Sequence, residues 1–64
     1  MFEYTFQYSP TYTDGLLIAD AIPTVVVVRA MNRTDAREKS DLAFDLEARA
    51  QRCQVNLLEI KQLW

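Results

Sequence analysis

Three groups of residues have the types and spacing that chemistry could use. Asp41 and Asp45 lie four apart in a stretch that reads as helix, which would set two carboxylates on one face. Such a pair could hold a divalent cation or act as acid and base. A solvated helix face explains it more simply, because no flanking motif supplies a pocket. Cys53 is the only cysteine. As a nucleophile it would need a lowered pKa, yet the pattern places it at the C-terminal end of the helix, where the dipole disfavours a thiolate. A small core hydrophobe is the plainer reading. Arg29, Arg33 and Arg37 are spaced by four across a strand end, a loop and a first helical turn. With the amides of a helix N-terminus they could bind an anion such as phosphate or an acidic partner. The alternative is a basic edge that pairs with Asp35 and Glu38.

Most other chemistry is missing at the level of composition. The 64 residues include no histidine and one glycine. Without histidine there is no Ser-His or Cys-His pair and no imidazole acid or base. One glycine cannot build a phosphate-cradling loop. A structural zinc site wants four Cys or His ligands, and an internal disulfide wants two cysteines. The sequence therefore predicts a protein that is not an enzyme, with no cofactor, no metal and no small-molecule substrate.

Charge narrows the partners. The net charge is −2, and its distribution is uneven. Residues 1–28 carry Glu3, Asp14 and Asp20 with no lysine or arginine, whereas all seven basic residues fall in 29–64. A generic nucleic-acid binder would be distinctly basic, since phosphate contacts dominate its affinity. Met1-Phe2-Glu3-Tyr4 lacks the basic and apolar regions of a signal peptide. The apolar stretch 16–28 is interrupted by Asp20 and Pro23 and is too short for a bilayer. A single thiol fits a reducing compartment. These features predict a cytoplasmic protein with no membrane association.

The elements that must position these residues follow from periodicity. Phe2, Tyr4, Phe6 and Tyr8 alternate with Glu3, Thr5 and Gln7, the period-2 pattern of a half-buried strand. The aromatics could instead form a stacking platform for bases, but that normally comes with basic neighbours, absent here. Thr13-Asp14-Gly15 signals a turn. Residues 16–22 fit either a short strand or a helical turn. Residues 24–31 read as a strand whose four consecutive valines want cover on both faces; as a bare edge they would invite aggregation, so an interior or covered position is expected. Thr34 reads as an N-cap, followed by a helix over about 35–53 with Ala36, Leu42, Ala43, Leu46, Ala50 and Cys53 on one stripe. Phe44 falls roughly 140° from that stripe at 100° per residue. Residues 55–63 read as a last strand, where the broken alternation at Leu58 and Ile60 predicts a bulge or two-sided burial.

The expected fold is a single α+β domain over 1–64, a β-β-α-β chain with a three-stranded mixed sheet and one helix on one face. The two strands joined by the helix should run parallel, whether adjacent or flanking the first. The opposite face should keep alternate valines, Val25 and Val27, without cover. A domain this small is marginal and often needs a partner as its staple. A protein–protein interaction module follows, acting on a protein partner or as a homodimer through Phe44, Val25, Val27, Tyr12 and Trp64. No family is identified by motif. The pattern over 24–64 is similar in style to small phage and mobile-element proteins, among them inhibitors of host RNA polymerase and anti-CRISPR proteins. That likeness implies an inhibitor or accessory factor that docks on a larger host complex. The alternative is a nucleic-acid-binding accessory protein using the Arg29, Arg33 and Arg37 edge, with Arg49 and Arg52 in support.

Overall fold

A computed structural model describes residues 1–12, 14–44 and 53–64. It contains β1 (Phe2–Pro10), β2 (Thr24–Ala30), α1 (Arg33–Ala43) and β3 (Cys53–Gln62). The sheet order is β2-β1-β3, so the aromatic first strand is central. β1 is antiparallel to both neighbours. β2 and β3 therefore run parallel to each other without being neighbours in the sheet. The sheet expected to be mixed is antiparallel at every pairing, because β1 separates the two parallel strands. The helix lies mainly over β2 and reaches β1.

The core follows from the alternation in β1. Tyr4, Phe6 and Tyr8 are buried, with Ala30 of β2 and Ala36 of α1. Val26, Val28, Val55, Leu57, Phe2 and Phe44 pack around them, partly buried. The other half of β1, Glu3, Thr5 and Gln7, lines the open face of the sheet. That face was expected to be apolar. It is apolar at the two edges, at Val25 and Val27 of β2 and at Leu58 of β3, while the central strand turns its polar half there.

The valine run stands at an edge of the sheet; of the two expected positions, interior or covered, it takes the second on one face only, where the helix packs over Val26 and Val28. The central place goes to β1. On one side its chain continues through the 11–23 connection into β2, and on the other it pairs with β3.

β3 carries the anticipated bulge. Thr5 pairs with Glu59 and Phe6 with Leu57, which leaves Leu58 as the extra residue. The bulge resets the phase of the strand: Ile60 opposes Tyr4, while Glu59 and Lys61 oppose Thr5 and Glu3. Without it, the face that takes Val55 and Leu57 would next receive Glu59 and Lys61.

The helix start lies two residues earlier than expected. Asn32, not Thr34, is the N-cap; its side chain accepts the Asp35 N–H at 2.9 Å. The cap also receives a return contact, with Asn32 Nδ2 donating to Asp35 Oδ2 at 3.3 Å. The buried row is Ala36 and Ser40, continued by Phe44 at the same spacing of four. Leu42, placed on the apolar stripe by periodicity, is 82% exposed, and Ala43 is exposed as well. Cys53 is not helical; it opens β3 opposite Pro10. Leu46 and Ala50 lie outside the described residues.

The connection from β1 to β2 is partly ordered by its own hydrogen bonds. Tyr12 N–H donates to Leu16 C=O at 2.8 Å and Ile18 N–H to Pro10 C=O at 3.0 Å, bracketing a Thr11–Leu17 bridge. Gly15 sits at φ 87°, a left-handed value that glycine takes without steric cost. Residues 16–22 are thus neither strand nor helix beyond that bridge; a turn follows, closed by Ala21 N–H onto Ile18 C=O at 3.2 Å.

Candidate interaction surface

The five residues expected to contact a partner divide among three places. Phe44 turns inward: its ring stacks on Tyr8 with centroids 4.3 Å apart and planes 21° from parallel. The off-stripe position was measured against a stripe drawn through Leu42. The row that packs is 36, 40, 44, and Phe44 belongs to it. Val25 and Val27 are on the open face of β2, 53% and 54% exposed. Tyr12 is exposed in the 11–23 connection, at the end of β1. Trp64 is exposed at the opposite end, where the Met1 ammonium donates to its carbonyl at 3.2 Å.

The connection adds residues that the sequence reading did not select. Leu16, Leu17 and Ile22 are exposed in the same connection as Tyr12, Ile22 to 88%. Asp14 and Asp20 flank them, and Asp14 Oδ1 accepts the Leu16 N–H at 3.1 Å. The result is an acidic, apolar segment whose sequence contains no lysine or arginine. Its signal in the sequence was the ambiguity of residues 16–22: large apolar side chains in a segment with neither helical nor strand periodicity have no element to bury them.

The three arginines do not converge on a site. Arg29 faces Glu3 across the strands, Nε to Oε2 at 3.6 Å, on the open face. Arg37 Nε donates to Asp41 Oδ1 at 2.8 Å, one turn along the helix. Arg33 is exposed at the first helical position.

Asp41 is engaged in structure; Asp45, the other half of the expected pair, lies outside the described residues. Its Oδ1 also accepts from the Tyr8 hydroxyl at 2.6 Å. Tyr8 and Ser40 are fully buried, and their hydroxyls are 2.7 Å apart. With Tyr8 donating to the carboxylate, Ser40 donates to Tyr8. Burial first, and the Asp41 hydrogen bond second, push the Tyr8 phenol above its usual value. The Asp41 carboxylate holds the Arg37 guanidinium more firmly protonated. Burial raises the Cys53 thiol, which works against a thiolate.

Among the described residues no group of three or more His, Cys, Asp and Glu side chains could hold a metal ion. No described helix is long and apolar enough to cross a membrane. In comparisons with protein-family models, curated proteins and solved structures, nothing matches this chain.

Proposed function

We propose that this protein is a non-enzymatic interaction module that docks on a larger protein through the 11–23 connection. The observation that carries the reading is the set of large apolar side chains exposed there, Tyr12, Leu16, Leu17 and Ile22. Among the described residues the core holds five buried hydrophobic side chains, and these four lie outside it. Contiguous exposed apolar side chains rimmed by polar ones mark interaction sites. Asp14 and Asp20 suit a target whose rim is basic, since complementary charge steers encounter and rejects wrong partners. An inhibitor or accessory factor of a host complex, as in phage and mobile-element proteins, fits this design.

The test is affinity capture from a bacterial lysate, comparing the wild type with Leu16→Ser/Ile22→Ser. A stoichiometric partner retained by the wild type and lost by the folded variant supports docking through the connection. Equal capture by both would place the contact elsewhere. Binding that weakens steeply with salt and elutes nucleic acid would favour the arginine edge instead.

A further inference from the structure

The two edges of the sheet differ in how they are protected. Proteins blunt exposed edges with bulges and charges. β3 has both: the extra residue Leu58, and Glu59 and Lys61 beside it. β2 has neither over Thr24–Val28, which contains no charge, no proline and no irregularity in its pairing. A protective device appears only at its end, where Lys39 Nζ donates to the Arg29 carbonyl at 3.0 Å.

The hydrogen bonds also fix which groups of β2 point outward. Pro10 C=O receives the Ile18 N–H, and Tyr12 bonds to Leu16, so even-numbered residues of the first strand turn toward the β2 side. Leu63 N–H donates to Met1 C=O, so odd-numbered ones turn toward β3. In the β1–β2 register even residues oppose even ones, Phe6 with Val26 and Tyr4 with Val28. The alternation of an antiparallel ladder then sends the N–H and C=O of Val25, Val27 and Arg29 outward. The Lys39 bond to the Arg29 carbonyl agrees with this assignment.

The geometry points to a second copy of this chain as the occupant of that edge, paired antiparallel through β2 about a two-fold axis at Val26. Lys39 closes the edge at Arg29 and leaves 24–28 open, and the midpoint of that span is Val26. Val25 of one copy then exchanges both main-chain hydrogen bonds with Val27 of the other, and the reverse. In this register Arg29 faces Pro23 of the second copy. Proline has no N–H to offer the Arg29 carbonyl, and Lys39 already supplies the missing donor. A proline at that register leaves no N–H of the partner strand unpaired opposite the capped carbonyl, and this chain's own sequence places one there. The open face would join Val25 and Val27 of both copies into one strip of four valines, and both helices would lie on the same side of a six-stranded sheet. The pairing is independent of docking through the 11–23 connection, so either can fail alone.

The test is register-specific. Val25 and Val27 are half-exposed, so both accept a charged side chain in the monomer. Val25→Lys/Val27→Lys places lysine opposite lysine twice across the two-fold. Val25→Lys/Val27→Glu places lysine opposite glutamate twice. Cross-strand charge pairs favour or oppose a ladder by sign. Sedimentation equilibrium should give a dimer for the wild type and for the Lys/Glu variant, and at least about tenfold weaker association for the Lys/Lys variant. A wild type that stays monomeric into the high micromolar range, or that forms open-ended oligomers, overturns the proposal. So does equal association of the two variants. If either variant fails to fold, amide exchange in the wild type decides. Val25 and Val27 amides should gain protection as concentration rises, and a dimer that leaves them unprotected refutes this edge.

Discussion

Replacing Tyr8 with phenylalanine removes one oxygen atom from the only polar cluster that ties α1 to the central strand through described side chains. The ring and its stack on Phe44 remain, so the experiment isolates the hydroxyl. Two hydrogen bonds disappear: one from Ser40 at 2.7 Å, and one to the Asp41 carboxylate at 2.6 Å. A neutral hydrogen bond contributes about 0.5–1.5 kcal/mol net and one to a charged group about 1.5–3. Ser40 can recover part of the loss by turning its hydroxyl to a carbonyl in the preceding helical turn, and Asp41 keeps Arg37. A loss of about 2 kcal/mol is therefore expected. For a domain of this size that is a large share of a total of roughly 3–10 kcal/mol, equivalent to a fall in Tm of about 8–16 °C. Urea denaturation of Tyr8→Phe, Ser40→Ala and the double variant measures it. Ser40→Ala should cost less, about 1 kcal/mol, because Asp41 still accepts the phenol. The double variant should cost less than the two singles combined, since they share one hydrogen bond. A loss below about 0.5 kcal/mol for Tyr8→Phe, the range of an ordinary surface change, would refute the network as an anchor of the helix.

The same phenol makes stability depend on pH. Its pKa in the folded state lies above the unfolded value of 10.0, so its contribution is complete below that pH and declines as pH rises through the folded pKa. Urea titrations above pH 10 should show a steeper loss for the wild type than for Tyr8→Phe. Phe44→Ala should cost about 2 kcal/mol by thermal melting, between the surface range and the roughly 3–5 of a fully buried ring; a neutral result would return Phe44 to the surface. Leu42→Ala, at an exposed helix position, should stay within about 0.5 kcal/mol. Asn32→Ala should lose about 1 kcal/mol through its cap, whereas Thr34→Ala should lose little; the reverse order would move the helix start. Gly15→Ala should destabilise by about 1–2 kcal/mol, the cost of a side chain at a left-handed φ.

Strict alternation made the fold class legible. Phe2 to Tyr8 announces a strand with one buried face, and that strand supplies most of the core. The broken alternation at Leu58 likewise appears as a bulge. Strand order was not legible, because periodicity reports which faces are buried and not which strands are neighbours. Four valines suggest an interior or covered strand, yet a sheet of three strands has only one interior place, which β1 holds, and one helix covers only one face of β2. The helix stripe holds at Ala36 and departs after it, for a different reason. Periodicity continues it through the apolar Leu42 and Ala43, which are exposed, while the structure buries Ser40, a polar side chain that hydropathy assigns to solvent. Ser40 can be buried because Tyr8 satisfies its hydroxyl across 32 residues of sequence. Phe44 and the helix start at Asn32 follow from that same row. The exposed connection was legible only as an ambiguity, and its apolar residues gained meaning once no element was found to cover them.

The central position of β1 has a kinetic consequence. The first strand of the chain is the one that both others must find. Its β2-facing groups can pair early, across a connection of 13 residues. Its β3-facing groups wait for residues 53–62, and Phe2 must meet Gln62 across nearly the whole sequence. Contacts so distant in sequence slow folding, because loop closure precedes any gain from pairing. Until they form, two unpaired strand edges are presented together, the valine edge of β2 and the inner edge of β1. A synthesising ribosome would expose this half-built hairpin for as long as the last strand takes to emerge, and in that interval the chain is most open to capture by a copy of itself.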